Sequence, residues 1–136
     1  MDDDREFLEW FQTTWKAAED AVHNGSPDAR LATWSDQEPV TLFGAGWNAR
    51  TPEEAQAVFR RLGGLFEDFE SCDVDLVAYG ASGDLAYTVH REHTKTSMHG
   101  EPRDYTLRVT QVYRREDGAW KVVHRHGDNE AALVAP

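Results

Sequence analysis

From residue 69 onward the chain switches to a period of two, and this change limits the fold more than any other feature of the sequence. Segments near 72–79, 85–96, 103–115 and 120–126 are rich in Val, Tyr, Thr and Leu, the residues that suit a half-buried pleated surface. Between them stand turn formers: Gly80-Ala81-Ser82-Gly83-Asp84, His99-Gly100-Glu101-Pro102 and Glu116-Asp117-Gly118. Connections this short join antiparallel neighbours, because a parallel crossover needs a dozen residues or more. The second half therefore reads as a four-strand antiparallel meander.

The first half carries the helical period. Leu8, Phe11, Trp15, Ala18 and Val22 line one face of a helix over Phe7 to Val22, with Asp2 to Asp4 near its positive end. His23-Asn24-Gly25 stops it. Ser26 and Pro27 start a short second helix that carries Leu31 and Trp34. Val40 to Phe43 is a short strand closed by Gly44 and Gly46. Thr51-Pro52-Glu53-Glu54 is a capping box for a third helix, striped by Ala55, Val58, Phe59, Leu62 and Phe66 and ending near Gly63-Gly64. Helices first and strands later make one α+β domain over 1–136, in which about three helices cover a strongly curved antiparallel sheet. Such a cone leaves a hollow suited to a small molecule. The tail after Asp128 is expected at the periphery.

Charge narrows the partners. The chain has 14 basic against 25 acidic residues, a formal charge of −11, spread along its length. Nucleic acid and anionic membranes call for a cationic surface, so neither is expected as a partner. Cys72 is the single cysteine, which excludes an intramolecular disulfide and a four-cysteine zinc site. The start, Met1-Asp2-Asp3-Asp4, is acidic where a secretory signal would be basic and then apolar. No apolar run approaches the ~20 residues that span a bilayer. A cytoplasmic protein without a cofactor is the expectation.

Three stretches resemble the nuclear transport factor 2-like superfamily, in its SnoaL-like and ketosteroid-isomerase-like branch. They are Ser82-Gly83-Asp84-Leu85-Ala86-Tyr87, Tyr105-Thr106-Leu107-Arg108-Val109-Thr110, and the final hairpin from Tyr113 to Asp128. Trp34-Ser35-Asp36 with Val40-Thr41-Leu42-Phe43-Gly44 is similar to the family's helix-to-strand entry. The resemblance implies the cone fold; the chemistry it implies ranges over isomerases, cyclases, dehydratases, hydrolases and assembly domains. Ketosteroid isomerase itself places its aspartate base near Leu42 and its protonated aspartate near Thr110. Neither residue ionises as an acid, so that reaction is not carried over. The pattern Arg114-Arg115-Glu116-Asp117-Gly118-Ala119-Trp120 is similar to the association domain of calcium/calmodulin-dependent kinases, which gives a non-catalytic binding or assembly module as the alternative.

Strand alternation selects the candidate site. Thr88, His90 and Glu92 share one face of their strand, Arg108, Thr110 and Val112 a face of the next, and Trp120, Val122, His124, His126 and Asp128 a face of the last. If these faces meet inside the cone, Glu92 becomes the acid or base, its pKa raised by a half-apolar pocket. His126 is then the proton partner and Arg108 the clamp for an anion or oxyanion. The bland reading makes Glu92 and Arg108 a structural ion pair. Trp15, Trp34, Asp36, Phe43, Phe59, His90, Thr110, His124 and Asp128 are candidates for the pocket wall, although helical and strand spacing of aromatics usually means core. His124 and His126 with Glu92 or His90 are weighed as metal ligands and set aside, because His-X-His lacks a placed third ligand. His23, His93 and His99 read as surface or turn residues. Cys72 reads as inert packing. With Arg108 inside, Leu107, Val109 and Tyr113 form an apolar outer face, and a homodimer through that face is expected.

Overall fold

A computed structural model describes residues 3–44 and 46–130. The elements in chain order are α1 (Asp3–Trp10), a π-helical turn (Phe11–Trp15), α2 (Lys16–Val22), α3 (Asp28–Thr33), β1 (Thr41–Gly44), β2 (Trp47–Ala49), α4 (Pro52–Gly63), β3 (Phe66–Ser82), β4 (Leu85–Met98), β5 (Glu101–Glu116) and β6 (Ala119–Asn129). One six-stranded sheet holds them in the order β2-β1-β6-β5-β4-β3. The meander is present as β3 to β6, each antiparallel to the next. β1 adds to it in parallel on β6, pairing Thr41 with His124 and Phe43 with His126. Asp2 and the tail beyond residue 130 lie outside the described residues.

The long first helix buries Phe7, Phe11, Trp15, Ala18 and Val22; Phe7, not Leu8, completes the stripe. The π turn widens the helix between Phe11 and Trp15, so their rings stack at 4.4 Å and 16°. Asp4 and Asp3 do more than complement the dipole. Their carboxylates accept from the main-chain N–H groups of Ala81 and Gly83, tying the helix start to the β3–β4 turn.

Three boundaries differ from the sequence expectation. α3 begins at Asp28 with no side-chain cap from Ser26, and it ends at Thr33. Trp34 is extended and bridges to Val122, because Ser35 N–H donates to the Val122 carbonyl and draws the chain onto the sheet. Phe66 opens β3 and is not part of α4, whose end is set at Gly63. A Cβ at Gly63 would stand 2.7 Å from Pro27 Cδ, so the close approach of α4 to the α3 entry requires glycine there. The capping box is present in altered form: Thr51 Oγ1 accepts from Glu54 N–H at 3.1 Å, while Glu54 Oε1 accepts from Arg50 N–H at 2.8 Å.

The register of β6 decides what faces inward. Val112 pairs with His124 but Tyr113 pairs with Val122, which leaves Val123 as an extra residue in a bulge. Ahead of the bulge Trp120 and Val122 point into the core; after it the inward positions are Arg125 and Gly127. His124, His126 and Asp128 are thereby turned to the outer face, contrary to the expected alternation. On β5 the inward set is Tyr105, Leu107, Val109, Gln111 and Tyr113, and Arg108 and Thr110 are exposed. The face expected to form the apolar exterior is therefore the core, with Tyr113 0% and Val109 2% exposed. On β4 the reading was right: Thr88, His90 and Glu92 are inside, and Tyr87 and Val89 are outside.

Candidate functional site

α4, the α2–α3 corner and the inner face of the sheet enclose a cavity of about 340 Å³. Leu42, Val58, Phe59, Leu62, Phe66, Met98 and Leu107 form its apolar wall. Its polar lining is His23, Arg30, Arg103, Tyr105, Arg125 and Asn129, and among the described residues none of the lining is a carboxylate. The charged groups that face the cavity are thus guanidinium donors, with the carboxylates that pair with Arg30 and Arg125, those of Glu19 and Glu92, set outside the lining. Gly127 keeps the space open beside Val109, whose Cγ2 would stand 3.5 Å from an added Cβ.

A buried polar network holds the two inner arginines. Glu92 is 1% exposed and takes both arms of Arg125: Nη1 donates to Oε2 and Nη2 to Oε1, each at 2.8 Å. His90 Nε2 lies 2.8 Å from the same Oε2. Arg125 Nη1 also donates to Gln111 Oε1 at 2.9 Å and reaches Glu19 Oε1 at 3.4 Å. Arg30 Nη2 donates to Glu19 Oε2. Behind them Thr88, Gln111 and Tyr113 share the phenol oxygen of Tyr113. Such a network is worth its desolvation only when its members are satisfied. One is not: Arg30 Nε is buried without a hydrogen-bond partner among the described residues.

Burial pushes the Glu92 carboxyl up, but Arg125 and His90 outweigh it and hold the group well below the usual carboxylate range. The expected upward shift does not occur, because the chamber supplies a bidentate cation in place of an apolar wall. Burial alone would lower Arg125; Glu92 and Glu19 keep it charged and shift it upward. Burial pushes the Tyr105 phenol up to about 12, so it remains a neutral donor. His23 is lowered, chiefly by burial and also by Arg30, against the raising effect of Glu19.

A family model described as a SnoaL-like domain matches residues 12–127. The chain belongs to the SnoaL-like domain family. A search of curated proteins finds no match. Among solved structures, a nuclear transport factor 2-like superfamily protein from Salmonella enterica serovar Typhimurium superposes with a TM-score of 0.74 at 17% identity, over 96% of this chain and 92% of the other. A candidate calcium/calmodulin-dependent protein kinase type II association domain from Thiobacillus denitrificans gives 0.71 at 23% identity, over 90% and 94%. A ketosteroid isomerase-like protein from Erwinia carotovora atroseptica gives 0.69 at 16% identity, over 91% and 98%. These likenesses support the cone fold of the SnoaL-like domain.

The structure does not bring Glu92, Arg108 and His126 together. Glu92 is in the buried network; Arg108 and His126 are on the outer face, where Arg108 donates to both oxygens of Asp128 at 3.1 and 3.0 Å. The bulge at Val123 and the phase of β5 are the physical reason. Of the expected wall residues, Phe59 lines the cavity. Trp15 is core, edge-on to His90 at 5.2 Å, and Trp34 is core against Phe59 at 4.7 Å. His90 is buried between the Phe11 and Trp15 rings and Glu92. Asp36 and Thr110 are exposed. Phe43 and His124 stand on the outer face, ring to ring at 5.8 Å, with His124 Nδ1 2.7 Å from Thr41 Oγ1. Leu42, which stands near the isomerase base position, lines the cavity as an apolar residue.

The cavity and its network contain residues that the sequence reading did not place in the site: Glu19, His23, Arg30, Tyr105 and Arg125. His23 stands in the turn after α2, as expected, but it is 5% exposed and not on the surface. The signal for Arg125 was the consecutive pair Val122-Val123, since two β-branched apolar neighbours in an alternating strand mark a break in phase. Glu19 and Arg30 lie on separate helices, and no spacing rule joins them. Among the described residues no group of three or more His, Cys, Asp or Glu is placed to hold a metal. No helix among them is long and apolar enough to cross a membrane.

Proposed function

We propose that this SnoaL-like domain is a small-molecule pocket protein whose ligand joins an apolar body to an anionic or carbonyl oxygen. The body lies against Leu42, Val58, Phe59, Leu62 and Phe66, and the oxygen faces Arg30 and Arg125. One observation carries the reading: among the described residues, a cavity of about 340 Å³ is lined by three arginines and no acid, in a strongly acidic chain. The volume falls in the range of small-ligand sites, and guanidinium groups are the side chains best suited to oxyanions. The acid–base chemistry weighed from sequence, beside a non-catalytic alternative, rested on Glu92, Arg108 and His126 acting together, and their separation leaves binding as the better supported reading.

The test is a titration followed by NMR and by fluorescence of Trp47, which lines the cavity. Phenylbutyrate, phenylbutanol and phenylbutylamine share one apolar body and differ at the head. The acid is expected to bind at least tenfold more tightly than the amine, and Arg103→Ala at the rim is expected to weaken it. Equal binding of acid and amine would refute the proposal.

A second reading, self-association, has its own observation. Val77, Leu85, Tyr87 and Val89 are exposed together on the outer face of β3 and β4. An apolar patch on a sheet face is a common twofold contact. We infer a homodimer through this patch, in place of the Leu107, Val109 and Tyr113 face that the structure buries.

A further inference from the structure

Hydrogen-bonding polarity divides the cavity lining. Arg30, Arg103 and Arg125 can only donate, and Tyr105, held neutral, presents an O–H. His23 and Asn129 are the exceptions, and Asn129 is exposed to solvent, which leaves His23 as the buried acceptor. Its Nδ1 lies 2.7 Å from the Glu19 main-chain oxygen, and a carbonyl only accepts, so Nδ1 carries the proton. In the neutral ring Nε2 is then a bare lone pair. Nε2 has no hydrogen-bond partner among the described residues, and the ring lines the cavity while 5% exposed. The ring is fixed by Phe66, at 4.8 Å, and the backbone by Thr96 Oγ1, which donates to the His23 carbonyl at 2.7 Å.

Glu19 links this acceptor to the cationic end of the cavity. Its main-chain oxygen orients His23, and its carboxylate accepts from Arg30 Nη2 and Arg125 Nη1. Acceptor and guanidinium donors are therefore held by the same helical turn. A ligand with a carboxylate alone offers the lone pair of Nε2 no donor; one with a donor next to the carboxylate satisfies both.

We propose that His23 sets the specificity of the cavity by accepting a hydrogen bond from the ligand, which makes the favoured ligand a hydroxy acid: an apolar body, a carboxylate toward Arg30 and Arg125, and a hydroxyl donating to His23 Nε2. This rests on the pocket reading above and names its ligand class. The groups that act on the His23 ring are Glu19 and Glu92, which favour its protonation, and Arg30 and burial, which oppose it. The lowered pKa keeps Nε2 an acceptor at neutral pH. Protonation would make it a donor, from which a hydroxyl can still accept, so a ligand ether, which accepts but cannot donate, separates the two cases.

The experiment compares two pairs that differ by one hydroxyl: mandelate with phenylacetate, and phenyllactate with hydrocinnamate. Each acid is titrated into the unaltered protein and into His23→Phe. In at least one pair the hydroxy acid is expected to bind about tenfold more tightly, the scale of one well-made hydrogen bond. The advantage is expected to vanish in His23→Phe, and at neutral pH in the unaltered protein when the hydroxyl is replaced by its methyl ether, which accepts but cannot donate. The ether carries the test if the variant does not fold. Equal binding within both pairs, or a preference that survives both the variant and the ether, overturns the proposal and leaves the pocket reading standing. Failure of all four acids and of phenylbutyrate to bind overturns the pocket reading and this proposal with it.

Discussion

Replacing Glu92 by glutamine removes one charge from a site where three donors converge, and the cost follows from the geometry. The carboxylate is 1% exposed, takes Nη1 and Nη2 of Arg125 at 2.8 Å each, and meets His90 Nε2 at 2.8 Å. Removing one partner of a buried ion pair costs about 3–5 kcal/mol, because the surviving charge keeps its desolvation penalty. Arg125 retains Gln111 at 2.9 Å and Glu19 at 3.4 Å, which places the expectation at the lower end, about 3 kcal/mol. Against a total of roughly 5–15 kcal/mol this is a large loss, on the order of 10 °C in Tm for a domain of this size. Urea unfolding followed by circular dichroism measures it.

The pH dependence of the same variant gives a second reading. Glu92 titrates lower in the folded state than its ordinary 4.5, so its contribution is fully present above that value. The contribution is lost as pH falls through the folded-state value. Glu92→Gln should therefore flatten the acid limb of the stability curve. A variant within about 1 kcal/mol of the parent, with an unchanged acid limb, would show that the carboxylate is not a desolvated partner of Arg125. That result would refute the network as described.

The outer-face residues are expected to behave differently. Arg108→Ala breaks only an exposed pair with Asp128, so Tm should stay within measurement error and phenylbutyrate binding should not change; a loss of binding would return Arg108 to the ligand site. Tyr87→Asp places a charge in the exposed patch and should convert a dimer to a monomer in sedimentation velocity. A parent that already sediments as a monomer at micromolar concentration would remove the dimer proposal.

The elements themselves were legible because period and punctuation are local. The period-two segments and the glycine turns after residue 69 define a meander that the coordinates contain. The stripe through Phe11, Trp15, Ala18 and Val22 is likewise buried. The site was less legible, and the loss traces to one residue. Alternation is a parity rule, so the single extra position at Val123 reverses every side chain after it. His124, His126 and Asp128 were read inward for that reason, and Arg125 was left out. β5 was then phased to match β6, which moved Arg108 and Thr110 inside with them. Glu92 was placed on the correct face because β4 pairs with β5 without interruption. Its partner was missed because it stands 33 positions away across the bulge. The Glu19–Arg30 contact and the burial of His23 depend on how α2 and α3 turn against the sheet, and a helix corner has no spacing signature.

The parallel seam between β1 and β6 has a consequence for the order in which the molecule is made. Thr41 meets His124 across 83 positions, and Glu19 meets Arg125 across 106. At about 5–20 residues per second, the first helices wait roughly 5–20 s for the strand that covers them. Through most of that interval Phe7 lacks Tyr113 and Trp120, its edge-on ring partners, and Arg125 is not yet present to complete the cavity. The ligand chamber is thus among the last things the nascent chain acquires, and partly translated molecules would be clients for chaperones before they were receptors for anything.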